Sequence, residues 1–143
     1  MGMSETPRIT TQVQVMFFDT DCAAVVHNIA YLRFIEIART LLAEQLGLGL
    51  AQMADEQKYP VVVRTEIDYR RPARLGDKLT IEGWLDRVER ARFWCAFRIV
   101  RAADEAMIAE CRQTLALIKM PSGKLLRLPE DWQQYRAGEN ERA

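Results

Sequence analysis

Asp19 and Asp21 stand one residue apart in the stretch FFDTDCAAVVHNIAYLRFIEIAR, between a hydrophobic run and an apolar helical pattern. The chain's single histidine, His27, lies just beyond them. Carboxylates beside a core are costly unless they are partnered or put to chemical use. A carboxylate immediately before a long buried helix lies near the free N–H groups of its first turn, and those groups can hold a carbonyl oxygen that becomes an oxyanion. One acid or nucleophile plus one such cradle is a minimal hydrolase for an activated acyl group. A thioester suits it, because the thiolate leaves with little need for protonation.

Plainer roles compete for the same residues. Aspartates at such a place make turns and answer the positive end of the helix dipole. Asn28 sits where an N-cap belongs, and the ring of His27 can hydrogen-bond backbone or a carboxylate at the helix start. Cys22 near His27 raises a Cys–His nucleophile, which needs the base in hydrogen-bond reach and a third group to orient it; a free cysteine is more often inert packing. Asp19, Asp21 and His27 match no familiar metal-ligand spacing, so no metal is expected. GxSxG, GxGxxG and GxxxxGK[ST] are all missing from the sequence, and no cofactor is expected.

At 143 residues the chain reads as one domain, with a core over about 9–120 and an extension over 121–143. Lys plus Arg balance Asp plus Glu at 20 each, so no global field recruits nucleic acid or an anionic membrane. Arginines nevertheless cluster between Arg64 and Arg101, which leaves room for local anion binding. Three cysteines without a CxxC spacing, no apolar leader and no run of membrane-spanning length point to the cytoplasm.

The elements that must hold these residues can be read from periodicity. Residues 1–8 read as a frayed start. Alternation over Ile9–Phe18 predicts a half-buried strand with Val13, Val15 and Phe17 inward. Tyr31, Phe34, Ile35, Ala38, Leu41, Leu42 and Leu46 define one face of a helix from Asn28 to Leu46, about 28 Å long, stopped by Gly47 and Gly49. LAQMADEQ adds a turn or two of helix. Period-two runs then follow through Val61–Tyr69, Leu79–Leu85 and Phe93–Ile99, with RRPARLGD as the turn after the first. AMIAECRQTLALIKM is ambiguous alone, and its place after these runs favours another strand. Residues 121–143 read as loop with a short helix near Trp132. One helix followed by a succession of strands implies an α+β fold, an antiparallel sheet covering that helix.

F-x-D-T-D-x-x-x-V-V-x-N-x-x-Y-L-x-F-x-E-x-A-R, followed by Y-R-R-P-A-R-L-G-D, resembles the hotdog-fold acyl-CoA thioesterases of the 4-hydroxybenzoyl-CoA thioesterase-like superfamily, in particular the Tol–Pal-associated type. The resemblance implies a five-stranded antiparallel sheet wrapped around one long central helix. It also implies a homodimer with a continuous ten-stranded sheet, or a homotetramer of two such pairs. The substrate would be an acyl-CoA, entering between subunits. Asp21 would be the catalytic carboxylate, as nucleophile or as general base for water, with Asp19 as support. The backbone N–H at Asn28 would polarise the thioester carbonyl, and His27 and Tyr31 would line the region. Arg90 and Arg92, with Arg64 as a further candidate, would hold the CoA phosphates. Two departures stand out: many members have glycine where Ala24 stands, and close relatives carry histidine at the place of Asn28. Two other functions fit the same residues: a hotdog enoyl-CoA hydratase or dehydratase using Asp21 with His27, or a non-catalytic acyl-CoA-binding protein. Phe34, Phe93 and Trp94 are available to line the helix side for an aromatic acyl group.

Overall fold

The computed structural model describes residues 6–136. In chain order it forms β1 (Arg8–Gln14), a 3-10 turn (Phe17–Asp19), α1 (Asn28–Gln45), α2 (Leu50–Glu56), β2 (Lys58–Tyr69), β3 (Lys78–Val88), β4 (Arg92–Arg101), β5 (Met107–Lys119), β6 (Lys124–Leu126) and a second 3-10 turn (Glu130–Tyr135). The sheet runs β1-β3-β4-β5-β2, every pairing antiparallel, and the short β6 adds onto β5. β1 and β2 therefore form the two ends of the main path, and among the described residues β2 has one edge without a strand beside it.

α1 lies across the inner face of this sheet. Ala30, Tyr31, Phe34, Ile35, Ala38 and Leu42 recur at helical spacing and are buried. They pack with Leu79, Ile81, Leu85, Phe93, Cys95, Phe97, Ile99 and Leu115 from the strands. Full burial of each large apolar side chain contributes about 1.5–3 kcal/mol, so this single stripe is the main reason the sheet curls around the helix. α1 ends where expected: Gly47 takes a φ of +82° that favours glycine, and Leu48 N–H bonds back to Ala43 O at 2.8 Å.

The ambiguous run at 107–119 is a strand, and its burial explains the ambiguity. β5 lies between β4 and β2, and Thr114 and Ala116 on its outer side are buried like Cys111, Leu115 and Leu117 on its inner side. A strand covered on both faces loses the alternation that announces it.

Several sequence expectations need correction. β1 stops at Gln14 because its ladder with β3 ends at the Gln14–Lys78 pair; beyond it the chain turns outward and Phe17 is 81% exposed instead of inward. Arg8 is already in the strand, while residues 1–5 of the expected frayed start lie outside the described residues. Trp94 faces the outer side of the sheet, in register with Arg87 and Thr114, and cannot line the helix side. There the guanidinium of Arg87 lies 4.8 Å from its ring centroid. The segment after 120 is also more than loop: β6 pairs with β5, and Leu128 and Trp132 join the core. Trp132 packs edge-on against Phe93 with 5.0 Å between ring centroids, and its Nε1 donates to Leu46 O at the end of α1.

Trp132→Ala is accordingly expected to cost about 3–5 kcal/mol, read as a lowered midpoint in urea denaturation; a surface loop residue would leave the midpoint unmoved.

Candidate active site

The acidic turn is built from two aspartates with different environments. Asp19 is 1% exposed. Its Oδ2 accepts from Met16 N–H at 2.9 Å, its Oδ1 accepts from the Arg33 guanidinium, and its backbone carbonyl accepts from His27 N–H at 3.1 Å. Asp21 is exposed, and its Oδ1 accepts from Ala23 N–H at 2.9 Å and Val25 N–H at 3.4 Å, the local turn that aspartate favours. Among the described residues no cationic side chain pairs with Asp21. One carboxylate is thus structural and the other is left available.

The helix start differs from expectation by one position. His27, not Asn28, is the N-cap: its Nδ1 accepts from Ala30 N–H at 3.2 Å. Asn28 is the first helical residue, so its N–H has no helical carbonyl to bond. An imidazole whose Nδ1 already accepts a backbone proton is a structural cap first, which weakens both the Asp21–His27 pair of a hydratase and the Cys22–His27 nucleophile.

The RRPARLGD segment backs this loop. Val26 N–H bonds to Ala73 O at 2.9 Å, Leu75 N–H to Ala24 O at 3.0 Å, and Val25 bridges Arg74. Ala24 sits at φ +59°, a left-handed conformation that glycine adopts at lower cost. The segment is anchored in turn by Asp77, which accepts from Arg74 N–H at 2.9 Å and Arg101 at 3.2 Å.

Tyr31 is buried with its hydroxyl accepting from Ala73 N–H at 3.0 Å, and burial pushes its pKa up. Its ring meets Tyr69 at 5.3 Å between centroids. Together with Val25, Val26, Asn28 and Pro72 these rings line an open cavity of about 270 Å³ at the helix start. Asp21 is joined to that wall through Val25 but does not itself line it.

The three proposed arginines lie elsewhere. Arg64 is exposed on β2 and pairs with Glu66 at 3.1 Å. Arg92 opens β4, in register with Ala116. Arg90 lines a cavity of about 400 Å³ with Arg127, Leu128, Glu130, Gln133 and Arg136. Arg127 and Arg136 escaped sequence reasoning because the segment after 120 carries no periodicity; the arginines flanking LPEDW were the available signal. Tyr69 escaped as well, although its phase in the Val61–Tyr69 alternation puts it on the inner side with Ile67. Arg33 was hidden by its place among apolar helix residues.

A helix held in a curled antiparallel sheet, its first turn open beside an acidic loop, is the hotdog arrangement of thioester hydrolases. Residues 15–135 match the thioesterase-like superfamily, and the chain belongs to it. It is similar to the acyl-CoA thioesterase YbgC of Haemophilus influenzae, 30% identical over 120 residues that cover 83% of this chain and 87% of the relative. It is also similar to the 1,4-dihydroxy-2-naphthoyl-CoA hydrolase of Synechocystis, 29% identical over 126 residues, 87% of this chain and 91% of the relative. Among solved structures, a probable thioesterase from Bartonella henselae superposes with a TM-score of 0.78 at 31% identity, covering 85% of this chain and 99% of that one. Among the described residues no helix is long and apolar enough to cross a membrane.

Cys22 is exposed, whereas burial pushes the Cys95 and Cys111 thiols up to about 12 from 9.0. At pH 8 a disulfide thiol reagent should therefore titrate Cys22 in the native protein and all three thiols after unfolding. The unfolded state ionises these thiols above pH 9.0 while the native state holds their protons, so stability should fall from about pH 9 to about 12, measured by denaturation across that range.

Proposed function

We propose that the chain is a cytoplasmic acyl-CoA thioesterase, a single catalytic domain that hydrolyses RCO–S–CoA to a free acid and coenzyme A. Asp21 either takes a proton from the water that attacks the thioester carbon, or bonds that carbon itself, in which case water then cleaves the acyl–Asp21 anhydride, releasing the acid and restoring the carboxylate. The carbonyl oxygen gathers charge against the Asn28 N–H at the positive end of α1, and the C–S bond breaks with release of the thiolate. The observation that carries the reading is the division of labour in the acidic turn. Asp19 takes the guanidinium, and Asp21 stays unpaired two residues away beside an open helix start. Free thiols at Cys22, Cys95 and Cys111 support the cytoplasm.

The arginines call for a second copy. α1 is 18 residues, about 27 Å, and Asp21 lies at its start. The Arg90 cavity lies at its far end, where the segment carrying Trp132 bonds Leu46. Two β2 edges paired antiparallel about a two-fold axis align the Tyr69 end of one with the Lys58 end of the other. Arg92 is level with Val61 through Ala116, so this pairing carries the turn with a second copy's Arg90 toward the Tyr69 end, with Arg92 itself on the outer side of the sheet like Trp94. Exposed Val62, Val63 and Tyr69 on β2 suit such a contact. The assembly is a homodimer, or a homotetramer of two such pairs, and Arg90 and Arg92, with Arg127 and Arg136, hold the CoA phosphates.

Asp21→Asn should keep the fold by circular dichroism and lose about 100-fold or more of turnover in a thiol-release assay over short, long and aromatic acyl-CoAs; undiminished hydrolysis sinks the assignment. Arg90→Ala should raise KM about tenfold, the loss of one charge-assisted contact, at little change in kcat. Mixing Arg90→Ala with Asp21→Asn should recover sites of normal KM, since each mixed dimer rebuilds one complete site. Failure to recover would mean that no site is shared.

A further inference from the structure

Arg33 has a bond to the acidic turn that hydrolysis as described does not require. It stands in the second turn of α1 and reaches back to Asp19, whose carboxylate is 2% exposed against 47% for the arginine side chain. The guanidinium lies 5.5 Å from the ring centroid of Phe18 and 5.2 Å from that of Phe34. Those rings restrict its orientation, a use of a flat, delocalised cation that lysine cannot reproduce. Asp19 gathers three parts of the chain: the end of β1 through Met16 N–H, the helix cap through His27 N–H, and the helix body through Arg33. Asp21 follows two residues on and, among the described residues, has no tie to α1 of its own beyond the loop, its side chain bonding only Ala23 and Val25.

We propose that Arg33 is a positioning residue for thioester hydrolysis, acting through Asp19 to fix the Asp21 carboxylate against the Asn28 N–H. This rests on the catalytic reading of Asp21. Without the guanidinium, Asp19 is a buried charge lacking its partner, and the turn relieves that cost by moving toward water. A shift on the order of 1 Å in a reacting group is enough to cost about 100-fold.

The test is steady-state thiol release by Arg33→Ala and Arg33→Lys beside wild type, below the melting transition of each. Arg33→Ala is expected to lower kcat about 10- to 100-fold with KM nearly unchanged, and Arg33→Lys to recover only part. Millimolar guanidinium ion should restore part of the kcat of Arg33→Ala and leave wild type unaffected, which a loss of folded protein would not show. In an Asp21→Asn background, Arg33→Ala should add almost nothing. An unchanged kcat in Arg33→Ala, with Asp21→Asn inactive, overturns the proposal alone. A loss that merely tracks the folded fraction by circular dichroism, without guanidinium rescue, also overturns it. Full turnover in Asp21→Asn overturns the catalytic reading together with it.

Discussion

A helix buried along one face still begins with N–H groups that no carbonyl of its own can take. In this chain the whole arrangement around α1 answers that constraint. His27 satisfies Ala30 N–H, Asp19 fastens the preceding turn to the helix body, and Asn28, whose N–H has no helical carbonyl to bond, lines an open cavity. The core supplies the other half of the constraint. Phe34, Ile35, Ala38 and Leu42 are fully buried against the strands, so the helix start cannot shift to find other partners without opening the interior. The unsatisfied end is therefore held in place by packing on the remaining length of the helix.

Two stretches far apart in sequence form one object at this end. The loop 21–27 and the segment RRPARLGD exchange backbone hydrogen bonds at Ala24, Val26, Ala73 and Leu75, and Tyr31 pins the second stretch by its hydroxyl on Ala73 N–H. Arg101 and Asp77 brace the second stretch from β4. The rigidity at this end thus comes from main-chain bonds and one phenol, with two ion pairs, Arg101–Asp77 and Arg33–Asp19, holding the stretches from outside.

Periodicity made most of the fold legible, because α1, β3 and β4 each bury one face and leave the other less covered; β2 buries neither face, and its register shifts between Val62 and Arg64. β5 was harder, since burial on both faces erased its alternation. The end of β1 was misjudged because FF continues an apolar pattern while its pairing partner has already run out at Lys78. The C-terminal segment was read as loop with a short helix near Trp132, where the 3-10 turn Glu130–Tyr135 lies; its two core anchors, Leu128 and Trp132, were missed because isolated anchors have no period. At the site, Asp21 and Asn28 stood out through the motif. The cap fell on His27 because an imidazole can replace a hydroxyl or amide as acceptor, a choice residue preference alone does not rank first. Arg33, Arg127 and Arg136 depend on contacts between distant segments, which no local pattern records.

The bond from Trp132 to Leu46 has a consequence for how the chain is made. α1 leaves the ribosome early, yet the tryptophan that seals its far end comes nearly ninety residues later. At synthesis rates of about 5–20 residues per second, the most apolar helix of the molecule waits several seconds without its full cover. Until Trp132 emerges, the nascent chain carries an apolar helix with an unsealed end, and the segment holding that tryptophan is what closes it.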